Sequence, residues 1–145
     1  MMEFENVLPA DIERRSFEII ESELPREIER GIKPIVKRVI ATAGEWIDIQ
    51  LSDGRLKVTI YDSNMENPYT LEEDYAKYSG SPSWNPTGYH EYPMQIPEGY
   101  VFVMGDNRWH STDSRSTLIG LVDTRRILGR AVLRVTPFSK FGTID

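Results

Sequence analysis

Residues 46–60 read WIDIQLSDGRLKVTI, and this stretch decides the fold class. Ile47, Ile49 and Leu51 alternate with polar residues; after Asp53-Gly54 the alternation resumes with Leu56, Val58 and Ile60. A period of two puts every second side chain on one sheet face. An Asp-Gly pair between two such runs supplies the positive backbone angles of a two-residue hairpin turn. The expectation is an antiparallel hairpin packed on a core by one face.

Outward from the hairpin, strand character persists. Upstream, IVKRVI (Ile35–Ile40) is rich in β-branched residues. Downstream, YVFVM (Tyr100–Met104) reads as a short buried strand, and GRAVLRVTPF (Gly129–Phe138) as a further one. Residues 62–98 interrupt the pattern with Pro68, Pro82, Pro86, Pro93 and Pro97 among glycines, serines and tyrosines. That composition belongs to turns and irregular segments, and so long a segment is often functional.

The first residues follow another rhythm. In LPADIERRSFEIIESEL (Leu8–Leu24), Ile12, Phe17, Ile20 and Leu24 fall near one helical face. Pro9 and Asp11 suit a helix start and Pro25 an end. A second helical turn is expected over Arg26–Arg30. The reading is therefore a mostly β, antiparallel domain over residues 35–145 with a helical N-terminal extension over residues 1–34.

Bulk properties exclude several functions. The 145 residues include 23 acidic and 17 basic side chains, a net charge of −6 with no basic block. Nucleic acid is not an expected partner, and an anionic membrane would not attract the chain by charge. With no cysteine, there is no disulfide framework, thiolate zinc site or cysteine nucleophile. His90 and His110 are the only imidazoles, so neither a metal nor another cofactor is expected. No apolar run has the length of a membrane span and no export signal opens the sequence, so the chain as written reads as soluble.

The densest chemistry lies in GDNRWHSTDSR (Gly105–Arg115), a polar loop directly after a buried strand. Gly-Asp-Asn is turn chemistry, and Asp113 and Arg115, two residues apart, would share a face and pair. On composition alone this loop is a hydrogen-bonded brace between strands. It also matches, at Gly105, Asp106, Asn107, Arg108, Ser111, Asp113, Ser114 and Arg115, the GDNR–x–x–S–x–DSR loop of type I signal peptidases. VKRVIATAGE (Val36–Glu45) resembles that family's lysine box. GRLKV with NPY at Asn67–Tyr69, and IGLVDTRRILGRAVLRVTPFSKFGTI near the end, resemble its later strands.

The resemblance implies a membrane-associated serine endopeptidase, acting at the outer face of the cytoplasmic membrane on the signal peptides of exported preproteins. It makes Lys37 the general base, with Arg38 beside it and Ser111 as its orienting hydroxyl. Asp113 and Arg115 become the scaffold. A lysine serves as base only when desolvation lowers its pKa from about 10.4 towards neutrality.

Three features depart from the pattern. Trp109 replaces a usually polar residue, and Ala41 and Ala43 replace a glycine and a proline. The serine–methionine–x–proline box that carries the nucleophile has no counterpart before Lys37, where only Ser16 and Ser22 occur. SGSPSWNPT (Ser79–Thr87) mimics such a box but follows the lysine and reads as a turn-rich surface loop. His110, Ser111 and Asp113 are too close in sequence to form a relay. No nucleophile is identified, and the chain alone is expected to be silent.

Residues 1–40 also resemble the start of precorrin-8X methylmutase, on LPADIERRSFEIIESEL and PIVKRVI, and that family's catalytic histidine would fall at Ala41; together the two resemblances imply a fusion near the shared VKRVI. The alternative function is a non-catalytic module that binds a peptide, or self-associates, through an exposed strand edge at Ile35–Ile40.

Overall fold

The computed structural model describes residues 2–5, 17–22, 33–134 and 142–143. Its strands are β1 Met2–Glu5, β2 Phe17–Ser22, β3 Lys33–Ala41, β4 Trp46–Ser52, β5 Arg55–Tyr61, β6 Tyr69–Thr70, β7 Met94–Gln95, β8 Tyr100–Met104, β9 Val122–Asp123, β10 Ile127–Arg134 and β11 Gly142–Thr143. A 3-10 turn, Thr124–Arg126, precedes β10. A seven-stranded sheet runs in the order β1-β10-β2-β3-β8-β9, with β11 also on β10. A second sheet of four strands has the order β6-β5-β4-β7. All the strand pairs are antiparallel.

The hairpin forms as expected. β4 and β5 pair from Trp46↔Tyr61 to Ser52↔Arg55. Asp53 and Gly54 turn the chain with φ of +50° and +72°, the left-handed pair that matches strand twist. Gly54→Ala, placing a Cβ in that conformation, is expected to cost about 1 kcal/mol, read as a lower urea midpoint at unchanged slope. Ile47, Ile49, Leu56, Val58 and Ile60 are buried; Leu51, near the hairpin tip, is exposed instead of sharing their burial.

β3 and β8 separate two cores. Ile40, Phe102 and Met104 pack with the hairpin's apolar face, whereas Val39, Val101 and Val103 pack with Val122 and Ile127. Both faces of these strands are covered, which is why YVFVM is a continuous apolar run rather than an alternating one.

Two expectations are corrected. Phe17–Ser22 is strand β2, not part of a helix; it pairs with β3 from Phe17↔Arg38 to Ser22↔Lys33 and with β10 on its other side. FEII is as compatible with a strand as with a helix, and backbone pairing with two neighbours outweighs a four-residue apolar rhythm. The rest of Leu8–Leu24 and the turn expected over Arg26–Arg30 lie outside the described residues. β2 also occupies the edge of β3 over Lys33–Arg38, so the edge expected at Ile35–Ile40 is not open there.

Candidate active site

The loop Gly105–Arg115 leaves the end of β8 and folds back onto it. The Val103 amide donates to Ser114 Oγ at 2.9 Å, and the Ser114 amide donates to the Val103 carbonyl at 3.1 Å. β3 lies alongside, with Arg38 in register with Met104. Successive residues of a strand point to opposite faces, so Lys37 and Arg38 reach the loop from two sides.

On one side, Lys37 Nζ donates to Ser111 Oγ at 2.8 Å. Burial is the largest influence on this amine and lowers its pKa; Asp113 and Asp106 oppose the shift and Arg115 adds to it. The net effect lowers the pKa below that of an ordinary lysine. A Cβ at Gly105 would fall on Ser111 Oγ and come within 2.6 Å of Ser111 Cβ. Glycine at this position is therefore a matter of space.

Behind Ser111, Asp113 and Arg115 are fully buried. Arg115 Nε and Nη2 each donate to Asp113 at 2.8 Å, and the Gly105 amide donates to Asp113 Oδ2 at 3.0 Å. Burial works to raise the Asp113 pKa; the bonds and charge of Arg115, the Gly105 amide and the Ser111 hydroxyl outweigh it and hold the carboxyl below its usual range. Arg115 Nη1 also donates to the Pro86 carbonyl at 2.8 Å, and its guanidinium lies 5.0 Å from the Trp84 ring centre.

On the other side, Arg38 donates to both oxygens of Asp106, at 2.9 and 3.0 Å. Arg108, also buried, donates to the Gly105 carbonyl at 3.1 Å and forks onto Glu73 at 2.7 and 2.8 Å. Asn107, exposed, bridges to Lys77 through the backbone.

The structure thus assembles Lys37, Arg38, Gly105, Asp106, Arg108, Ser111, Asp113, Ser114 and Arg115 around one loop. His110 is kept apart: it bonds the Ser79 carbonyl at 2.8 Å. Ser79–Ser83 is exposed loop. Trp109 fits by burial, edge-on to Tyr78 with ring centres 4.7 Å apart. A cleft of about 350 Å³ lined by Trp84, Tyr89, Thr112, Ser116, Thr117 and Leu118 opens beside the loop, without Lys37 or Ser111 in its walls. Among the described residues no three or more His, Asp or Glu side chains converge on a metal position, and no helix is long and apolar enough to cross a membrane. Sequence reasoning misses Glu73, Tyr75 and Trp84, because nothing in their local spacing announces partners so distant along the chain.

Residues 7–136 match the model of the family described as signal peptidase, peptidase S26. The match takes in the segment upstream of Lys37. Among curated proteins, the thylakoidal processing peptidase 1 of Arabidopsis thaliana is 37% identical over 105 residues, 72% of this chain and 25% of that protein. A signal peptidase I of Mycobacterium tuberculosis is 35% identical over 120 residues, 76% of this chain and 39% of that one. One from Bacillus licheniformis is 34% identical over 111 residues, 76% of this chain and 55% of its own length. The chain thus spans from a quarter to little over half of these relatives. A crystal structure of a signal peptidase I from Enterococcus faecalis superposes with a TM-score of 0.54 at 29% identity, covering 82% of this chain and 95% of the other.

Proposed function

The chain belongs to the signal peptidase family, peptidase S26, and from that membership we propose that residues 35–145 carry the base half of a serine–lysine endopeptidase acting on signal peptides of exported preproteins. The observation that carries this reading is the half-buried Lys37 amine, 2.8 Å from Ser111 Oγ and depressed in pKa by burial. A neutral amine has a lone pair to accept a serine proton; Ser111, accepting one N–H, fixes where that lone pair points. Asp113 and Arg115 hold Ser111 and Gly105 from behind, and Arg38 with Asp106 ties the lysine's strand to the loop. The family's setting at the outer face of a membrane belongs to the same proposal.

No serine of this sequence matches the family's nucleophile box, and turnover by these residues alone is not expected. A join near residue 35 and a cobalamin-pathway origin have no part in the reading, since the family match runs through that point. Peptide binding without turnover is the expected residual property.

The test is cleavage of a peptide with alanine at the −1 and −3 positions, in detergent, by the purified chain and by Lys37→Ala, alongside NMR titration of Lys37. Lys37 is expected to titrate below an ordinary lysine while neither protein turns the peptide over. Turnover abolished by Lys37→Ala would place a nucleophile within these residues, with Ser81 and Ser83 changed next. An ordinary Lys37 titration would sink the base assignment.

A further inference from the structure

Resting on the assignment of Lys37 as the base, we infer that Tyr75 is a positioning residue for it, through a ring of contacts closed around Gly105 and Asp106. The ring starts at the Tyr75 face, where the Arg38 guanidinium sits 3.8 Å from the ring centre. Arg38 forks onto Asp106. One residue back, the Gly105 carbonyl accepts from Arg108 Nε at 3.1 Å. Arg108 forks onto Glu73, and Glu73 Oε1 accepts from the Tyr75 hydroxyl at 3.1 Å. The ring is back at its start.

Two backbone bonds brace it from outside: the Lys77 amide donates to the Asp106 carbonyl at 2.7 Å, and the Arg108 amide to the Lys77 carbonyl at 2.8 Å. Tyr75 is thus shared between the arginine next to Lys37 on β3 and the arginine that holds Gly105. Gly105 is the residue against which Ser111 Oγ and Lys37 Nζ pack. Fixing Gly105 and Arg38 together fixes the separation of the amine from its hydroxyl. A cation on an aromatic face is held more strongly where it is desolvated, and Arg38 is buried.

Glu73 and Tyr75 come from the irregular segment between β6 and β7. Through them that segment reaches into the site's support from outside both the lysine strand and the loop.

The charged groups that bear on Lys37 are Asp113, Arg115 and Asp106, and Glu18 of β2 occupies the register position opposite it. Tyr75→Leu changes none of them. It removes the ring while leaving apolar bulk at a half-buried position. Lys37 is to be followed by NMR on ε-13C-labelled lysine, its resonance assigned by its loss in Lys37→Arg. In Tyr75→Leu the titration midpoint is expected to move up towards that of an ordinary lysine, because burial is what holds it down. Tyr75→Phe keeps the ring on Arg38 and is expected to retain the wild-type midpoint. It loses the bond to Glu73, so amide exchange at Lys77 and Arg108 becomes about tenfold faster.

Leu56→Ala hollows the core elsewhere and is the control for mere destabilisation; its Lys37 midpoint is expected to stay put. Tyr75→Met must behave as Tyr75→Leu does and serves if the leucine variant does not fold. A depressed wild-type Lys37 with an unchanged midpoint in Tyr75→Leu or Tyr75→Met overturns this inference and leaves the base assignment standing. An ordinary midpoint already in the wild type overturns both.

Discussion

Asp113→Ala is expected to destabilise the fold by about 3–5 kcal/mol, the cost of leaving a buried charge without its partner. The stranded group is the Arg115 guanidinium, which is fully buried and gives two of its bonds to this carboxylate. The Gly105 amide loses its acceptor in the same substitution. Urea unfolding at pH 7 is the measurement, and a loss under about 1 kcal/mol, the range of an exposed pair, would mean that water reaches Arg115. Asp123→Ala is the natural comparison, since Arg125 there is exposed; Asp123 also caps the 3-10 turn through the Arg125 amide, so its midpoint is expected to fall, but much less than in Asp113→Ala.

The same pair sets a pH dependence. Burial works against ionised Asp113, but Arg115, the Gly105 amide and Ser111 win, and the folded pKa lies below the unfolded one. The unfolded chain therefore takes up a proton first as pH falls. The stabilisation is complete above the unfolded pKa of about 3.9 and is lost as pH drops through the folded value. Asp113→Asn should flatten the acid limb of the stability profile below about pH 4 while leaving its neutral limb parallel to wild type.

What can be read from the sequence follows from how local each determinant is. The β4–β5 hairpin is legible because its turn and both apolar faces lie within Trp46–Ile60. The Asp113–Arg115 pair is legible too, being two residues apart, although the two meet across a turn closed by the Ser116 amide on the Asp113 carbonyl rather than on one face of an extended strand. Lys37 and Ser111 lie 74 positions apart, and only the resemblance of two motifs joins them. β2 reads wrongly as helix because Phe17 and Ile20 satisfy a helical spacing locally, while the deciding partners, β3 and β10, lie elsewhere in the chain. Glu73 and Tyr75 are invisible for a similar reason. Acidic and aromatic residues in a proline-rich stretch look like surface until Arg108 and Arg38 arrive from distant parts of the chain.

Gly105 gives the sharpest test of how tightly the loop is built. Its backbone angle is not of the left-handed kind reserved for glycine, so an alanine there is strained only by what it touches. What it touches is Ser111, at both Oγ and Cβ, with Lys37 Nζ 3.4 Å away. Gly105 can yield little, because its amide is fastened to Asp113 and its carbonyl to Arg108. The side chain of Ser111 must therefore move, and the Lys37 bond moves with it. Gly105→Ala is expected to cost about 1–3 kcal/mol, as overpacking of a filled site does. Adding Ser111→Gly removes both offending atoms, so the double variant should be more stable than the sum of the single losses by about 1–2 kcal/mol. Additive losses would mean that the loop shifts as a body away from β3 to admit the methyl group. The same variants separate the position of the Ser111 hydroxyl from its presence: Gly105→Ala keeps the hydroxyl but displaces it, and Ser111→Ala removes it without crowding. If position is what matters to Lys37, Gly105→Ala disturbs its titration as much as Ser111→Ala does, and a wild-type midpoint in Gly105→Ala would show that the hydroxyl can serve the amine from more than one place.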